Sequence, residues 1–488
     1  MTEMERKQKL DEIIDRINNG SCQVLGAGVS NVPLVRWLCA KGARVVVRDM
    51  KDREKIDNAD ELSAIGAELI TGAEYLDGLE SLADPERTVI FRSPGMRPDI
   101  KEISGAVKKG ALLTSEMELF LLLTPARVIA ITGSDGKTTT TTLVGKIMDF
   151  CADGKVYVGG NIGTPLLPAV DSMTEKDVAV VELSSFQLQT FDHSCNTAVI
   201  TNITPNHLNW HTDMDEYTEA KYNVFSKGGC KRLVVNSDNE GSLNAARRAT
   251  ELGLELDIVY FSMLGDSYAS TVPEFANEGA VAIYLKDGKI TVGTKNGERA
   301  ALNAADIKIP GDHNIANYMT AIGACLNEIN DLSRLEALAK EFGGVAHRLE
   351  LVRILDGVKY YNSSIDSTPT RTRAALSALK ESPIVICGGA DKGVSFLPLA
   401  EALCQRAKAV VLTGACRDKI LAAFDELDGS YEKPDVFVCP DFAEAVEKAR
   451  EIAREGDTVL LSPACTSFDA FKNFEERGNT FKKIVDSF

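Results

Sequence analysis

With 488 residues the chain is too long for one hydrophobic core, and at roughly 100–200 residues per domain its length suits about three. An apolar share of 44% supports globular cores, while a formal net charge of −17 excludes a broad basic surface for nucleic acid or acidic membrane, so any phosphate must be held by local geometry. Eleven cysteines without a Cys-x-x-Cys pair, a charged start from Met1 to Leu10, and no apolar run near the roughly 18 residues of a membrane span predict reduced thiols and an uninserted, cytoplasmic protein.

The first segment alternates short apolar runs, Gln23–Leu25, Arg44–Val47 and Thr88–Phe91, with a helix near Pro33–Lys41. That is the rhythm of a parallel α/β sheet. Its turn Gly26-Ala-Gly28-Val29-Ser30-Asn31 carries two of the three glycines of Gly-x-Gly-x-x-Gly. Asp49 follows about 20 residues on, where such units place a ribose-binding acid, although it could also simply end a strand.

A second block opens at Arg127 with an apolar strand and the turn Gly133-Ser134-Asp135-Gly136-Lys137-Thr138-Thr139. Backbone N–H groups and a helix's positive end would face a phosphate chain there, with Lys137 as a point charge and the Thr138 hydroxyl available to Mg²⁺. The loop is two residues shorter than Gly-x-x-x-x-Gly-Lys-[Ser/Thr], so nucleotide triphosphate chemistry is expected from an atypical spacing. Strands at Asp177–Glu182, Thr197–Thr201 and Arg232–Asn236 continue the block, β-hairpins from about Gly279 to Gly297 extend it, and helices near Asn314–Leu326 and Leu332–Phe342 close it. Gly343-Gly344 then suits a hinge. Beyond it, strands at Gly357–Tyr361, Ile384–Ile386, Ala409–Leu412, Val436–Val438 and Thr458–Leu461 alternate with amphipathic helices as another doubly wound sheet. The expected domains are 1–126, 127–344 and 345–488, two Rossmann-like parallel sheets flanking a central phosphate-loop α/β domain.

Several side chains on these elements could carry chemistry. Glu182 ends a buried strand, where ligands of open α/β sheets bind, and so could reach a metal held by the phosphate loop or else cap the next helix. His207 and His211 are four apart in Thr204-Pro-Asn-His-Leu-Asn-Trp-His211, but Pro205 and the lack of a nearby Cys or Glu argue against structural zinc. His207 is taken as a second-site Mg²⁺ ligand and His211 is left uncommitted. Lys221 on an acidic helix reads, from spacing alone, as a surface lysine. Asn314 and Asn317 at a helix start could read a purine edge or hold phosphate. Lys392, in the glycine-rich loop Cys387-Gly-Gly-Ala-Asp-Lys392-Gly393, could hold a carboxylate or merely be solvated.

Taken together, Thr132-Gly-Ser-Asp-Gly-Lys-Thr138, Glu182–Leu188, Asn206-His-Leu208, Gly311-Asp-His-Asn314 with Asn317, His347-Arg348 and Leu461-Ser-Pro-Ala-Cys465 resemble the Mur ligase family, over essentially the whole chain. That family comprises ATP-dependent amino-acid ligases that build the peptide stem of peptidoglycan. The tail Ser462–Gly478 and the N-terminal glycine turn with Ser93-Pro-Gly95 are most similar to its D-glutamate-adding branch. The resemblance implies a cytoplasmic, monomeric enzyme that uses ATP and two Mg²⁺ ions, with UDP-N-acetylmuramoyl-L-alanine and D-glutamate as small-molecule substrates. It implies that Val29, Ser30, Asp49, Ser93, Asn161 and His207 bind the UDP substrate, with Asn161 between it and ATP. Gly133 to Thr139, Asn314, Asn317 and Arg348 would contact ATP, and Lys392, Ser467, Phe468 and Phe474 the incoming glutamate. It also raises Lys221 from surface lysine to a metal-site residue, since the family carries a carbamylated lysine in a matching context. Thr138, Glu182, His207 and Lys221 then form the metal set, and Lys137, Glu182, His207 and Lys221 the catalytic one.

One departure stands out. Where the family commonly shows Asn-Asp-Ser-Lys-Ala-Thr, this chain has Asn362-Ser363-Ser364-Ile365-Asp366-Ser367, which removes the acid expected at the ATP ribose and a lysine expected near glutamate. Asp366 is a candidate replacement for the acid. The rival readings are a ligase for another amino acid or for folate, an oxidoreductase using the first sheet for a dinucleotide, and a binding module without activity.

Overall fold

The structure, a computed structural model, describes residues 3–193, 195–265, 280–427, 429 and 431–488. It forms two compact units, Met1–Ala304 with Ala316–Glu336, and Ala305–Ile315 with Ala337–Phe488.

The first unit holds two sheets. Strands β1 (Ser21–Leu25), β2 (Val45–Asp49), β3 (Glu68–Thr71), β4 (Thr88–Arg92) and β5 (Leu112–Thr114) pair in parallel in the order β3-β2-β1-β4-β5. Runs such as Val45-Val-Val47 are buried on both faces because helices cover both, as a parallel sheet requires. One cover is the helix Glu3–Asn19, whose Ile13 and Ile17 are fully buried. The apolar spacing Leu10, Ile13, Ile14, Ile17 is that of one helical face.

The second sheet comprises β6 (Arg127–Thr132), β7 (Val156–Gly160), β8 (Val178–Glu182), β9 (Thr197–Ile200), β10 (Arg232–Asn236), β11 (Asp257–Ser262), β12 (Val281–Lys286), β13 (Lys289–Thr294) and β14 (Gly297–Asn303), ordered β14-β13-β12-β11-β10-β9-β6-β8-β7. All pairings are parallel except the closing β12–β13–β14 meander. The expected hairpins are thus present from Val281 onward, turning at Asp287-Gly288, while Gly279 lies outside the described residues. One apolar core runs unbroken under both sheets, from Ile13 and Val24 to Ile200 and Tyr260.

In the second unit, β15 (Glu350–Leu355), β16 (Val358–Asn362), β17 (Ile384–Gly388), β18 (Ala409–Thr413), β19 (Asp435–Val438) and β20 (Thr458–Leu461) order as β15-β16-β20-β17-β18-β19, parallel except for β15. Separate apolar clusters pack its two faces. Gly343 and Gly344 lie inside this unit, where the Gly343 carbonyl accepts from Leu351 N at 2.9 Å. Among the described residues no helix is long and apolar enough to cross a membrane.

Candidate active site

The phosphate loop leaves β6 between β9 and β8, at the carboxyl edge of the second sheet. Gly133 (φ +147°) and Gly136 (φ +80°) bend it through conformations that side chains resist, and a Cβ at Gly133 would sit 1.9 Å from Thr201 Oγ1. The neighbouring loop after β9 fixes its shape: Asp135 N donates to Asn202 Oδ1 at 2.9 Å and Thr201 Oγ1 to Asp135 O at 2.6 Å. Ser134 is buried, with its hydroxyl 2.8 Å from the Tyr217 hydroxyl. The helix Lys137–Cys151 begins immediately after Gly136, so its first-turn amides and positive end face this loop. Thr138 is half-buried and Thr139 buried in that turn. The Lys137 ammonium folds back to donate to Gly133 O (3.0 Å) and Ser134 O (2.9 Å), within reach of any anion the loop takes.

Three more candidates converge here. Glu182 ends β8 with 2% exposure; Asn161 Nδ2 donates to its Oε1 at 3.0 Å, while its buried Oε2 has no hydrogen-bond partner among the described residues. A carboxylate oxygen desolvated and left without a donor is suited to a cation. Lys221 is 1% exposed, not a surface lysine: its Nζ donates to the same Gly133 carbonyl at 2.8 Å and lies 4.6 Å above the Tyr217 ring. Burial, reinforced by the Lys137 charge, pushes its pKa well below the ordinary lysine value. His207 is exposed with φ +56°, and burial of part of its ring with the charges of Lys137 and Lys221 lowers its pKa, favouring the neutral ring a metal needs. Hard oxygens from Thr138 and Glu182 with one imidazole fit Mg²⁺, whereas Lys221 as an amine does not. His211 is buried, its Nε2 2.9 Å from Ser185 Oγ and its Nδ1 3.5 Å from Glu216. It belongs to the packing behind the site. The other close group of metal-type ligands among the described residues, Glu118, Asp192 and His193, already holds the Lys9 ammonium, 3.0 Å from Glu118 and 2.5 Å from Asp192.

The two asparagines differ. Asn317 sits beside the phosphate loop, its Oδ1 accepting from Thr140 Oγ1 at 3.3 Å, and a Cβ on Gly136 would approach that oxygen to 2.5 Å. Asn314 belongs to the other unit and its Nδ2 donates to Pro310 O at 2.6 Å.

In the first sheet, Asp49 organises the glycine turn: Oδ2 accepts from Ala27 N at 2.7 Å and Oδ1 from Lys51 N at 2.8 Å. Val29 is 80% exposed and Ser30 opens the helix Asn31–Ala40 without a side-chain cap. Ser93 closes the turn from the far strand, donating to Leu25 O at 2.6 Å and accepting from Asn31 Nδ2 at 3.0 Å.

In the second unit, Lys392 is exposed and donates to Ser367 Oγ at 3.3 Å, which adds Ser367 to the amino-acid candidates. Ser467 is buried and Phe468 is 72% exposed. Phe474 begins the helix Phe474–Asp486 with its ring edge-on to His347 at 6.0 Å, and the adjoining Arg348 is half-buried. The sequence reading had no role for Arg477. It is buried, donates to Cys465 O, Thr466 O and Ser364 O, and so braces the Ser467 loop; burial lowers its pKa to about 10, still charged at neutral pH. Asp366 is equally buried and accepts from Ser462 Oγ at 2.8 Å, a brace rather than a surface acid. Tyr217 and Asn202 went unnoticed for the same reason as Arg477, because each acts by holding a loop whose partner is distant in sequence.

Residues 131–325 match the Mur ligase middle domain, and residues 347–465 the family described as Mur ligase, glutamate ligase domain. The chain is 43% identical to the UDP-N-acetylmuramoylalanine–D-glutamate ligase of Ruminiclostridium cellulolyticum, over 98% of this chain and 99% of that one. It is 42% identical to the protein of that name from Clostridium perfringens, over 99% and 100%. A solved UDP-N-acetylmuramoyl-L-alanyl-D-glutamate–2,6-diaminopimelate ligase shares the fold, with a TM-score of 0.54 at 17% identity across 92% of this chain and 93% of that one. On the extent of these matches, the chain belongs to the Mur ligase family.

Proposed function

We propose that the chain joins D-glutamate to UDP-N-acetylmuramoyl-L-alanine at the expense of ATP, as a cytoplasmic monomer in peptidoglycan precursor synthesis. One observation carries the reading: a phosphate loop with Lys137, beside the half-satisfied Glu182 carboxylate, in a chain matching D-glutamate ligases from end to end.

The amides of Gly133 to Thr139 and the Lys137 ammonium bind the triphosphate, and Asn317, Asn314 and Arg348 are the candidates for the rest of ATP. Val29, Ser30, Asp49 and Ser93 take the UDP end of the acceptor, and Asn161 and His207 lie toward its carboxylate. That carboxylate attacks the γ-phosphorus, the bond to ADP breaks, and an acyl phosphate forms while Lys137 offsets the growing charge. The D-glutamate amine, from Lys392, Ser467, Phe468 and Phe474, then attacks the acyl carbon, phosphate leaves, and the amine proton is lost.

Thr138, Glu182 and His207 would hold Mg²⁺, two ions in this reading, which supply positive charge to the phosphoryl oxygens. Lys221 joins that set as a carbamate. Its depressed pKa supports this, because only the neutral amine reacts with carbon dioxide. The test is phosphate release from ATP with UDP-N-acetylmuramoyl-L-alanine present. Release should depend on D-glutamate; indifference to it, or equal rates with other amino acids, would refute the assignment.

A further inference from the structure

Two arginines tie the loop after β4 to the elements that carry the catalytic side chains. Arg92, at the end of β4, is fully buried, and among the described residues no carboxylate bonds to it. A buried charge with no bonded acid is costly to hold, so its retention calls for a reason. Its guanidinium spans two segments: Nη1 donates to Pro94 O (3.0 Å) and to Met96 O, while Nη2 donates to Phe186 O (2.9 Å) and Thr190 Oγ1 (3.3 Å). Phe186 follows Glu182 by four residues, and its ring meets the rings of His207 at 4.8 Å and Trp210 at 4.5 Å.

Arg97 makes the second tie. It donates to Trp210 O and, at 3.1 Å, to Glu216 Oε1, with its guanidinium 5.2 Å from the Trp210 ring. Trp210 Nε1 returns a bond to Gly95 O at 2.9 Å. Glu216 also accepts from Gln189 Nε2 at 2.7 Å and Thr212 N at 2.6 Å, and lies on the helix Met214–Ser226 that carries Lys221. The Ser93–Arg97 loop therefore has separate struts to the segments bearing Glu182, His207 and Lys221.

We propose that Arg92 and Arg97 are positioning residues that couple occupancy of the Ser93–Arg97 loop by the UDP substrate to the geometry of the phosphate-loop site. The proposal rests on the function read above. The substrate's pull on the Ser93 loop passes through Gly95–Trp210 and Arg97–Glu216, so nucleotide binding should tighten when the UDP substrate is present.

The test measures the Kd of a non-hydrolysable ATP analogue with Mg²⁺, with and without UDP-N-acetylmuramoyl-L-alanine, alongside kcat and each KM. In the wild type the substrate should tighten the analogue by about tenfold, a typical coupling. Arg97→Ala and Trp210→Phe should bring that factor to within about twofold of one and lower kcat about tenfold, with the UDP substrate's own Kd moving less than about threefold. Arg97→Lys keeps the charge without the fork and should restore only part of the factor. A general loss of structure would instead lower Tm and weaken every ligand together, and Trp210→Phe, which keeps its ring in place, decides if Arg97→Ala does not fold. A wild-type factor of one, or a factor retained in both variants, overturns the coupling. Absent D-glutamate-dependent turnover in the wild type instead overturns the function itself.

Discussion

The phosphate-loop region and the third-sheet loops handle their candidate residues in opposite ways. Glu182 and Lys221 are almost inaccessible, and Lys137 and Lys221 converge on one carbonyl, so these groups are fixed before any ligand arrives. Lys392 and Phe468 are exposed, and among the described residues a 3.3 Å contact to Ser367 holds the Lys392 tip. Developing phosphoryl charge is best met by groups that need no reorganisation, whereas an amino acid can order the side chains that receive it. Mutations in the first region should therefore act on kcat, and those in the second on KM.

The sharpest way to break that contrast is Lys137→Ala. Turnover should fall by about 10²–10³ or more while UDP-substrate binding stays within about twofold; a change confined to the KM of ATP would contradict it. Glu182→Gln should follow with a loss of about 10² in kcat and a raised Mg²⁺ requirement, read from metal titrations of the rate. Lys392→Ala should raise the KM for D-glutamate by about tenfold or more, as expected for a lost charged hydrogen bond, with kcat within about threefold. If kcat falls instead, the two regions do not divide the work in this way.

Asp366→Asn should have the smallest kinetic effect, leaving the KM for ATP within about twofold, because its carboxyl is a buried brace. Its effect is on stability. Burial raises the Asp366 pKa above its ordinary value, outweighing the Ser363 and Ser462 hydrogen bonds. The folded chain therefore holds this proton more tightly than the unfolded chain. That stabilisation is complete below the unfolded pKa and is lost as pH rises through the folded one. The Tm of the wild type minus that of Asp366→Asn should thus be largest below about pH 4 and shrink toward neutrality.

What could be read from sequence follows the same division. Strands rich in Val and Ile, and the phosphate turn with its lysine, are local signals, and the structure has them where periodicity and glycine spacing place them. Lys221 could not be placed by pattern, since an acidic helix predicts solvent on every polar face and only packing against Tyr217 and Gly133 reveals burial. Arg92, Arg97, Asn202 and Arg477 were invisible for a related reason: their partners lie 65 or more residues away along the chain, except for the nearby carbonyls that Arg92 and Arg477 engage and the Asp99 carboxylate beside Arg97. The helix Glu3–Asn19 was legible in principle from Leu10, Ile13, Ile14 and Ile17, but its charged residues invite a reading about targeting rather than periodicity.

The apolar core that runs beneath both sheets of the first unit makes residues 1–126 a structural necessity for the second sheet. Cut away from them, a 127–336 fragment would present to water the apolar surface that the helices Asn31–Ala40 and Glu116–Leu123 cover around Leu167–Ser172, and would aggregate rather than fold. The two sheets should accordingly melt as a single cooperative transition, and any exchange of residues 1–126 between relatives would have to carry their share of that interior along with their loops.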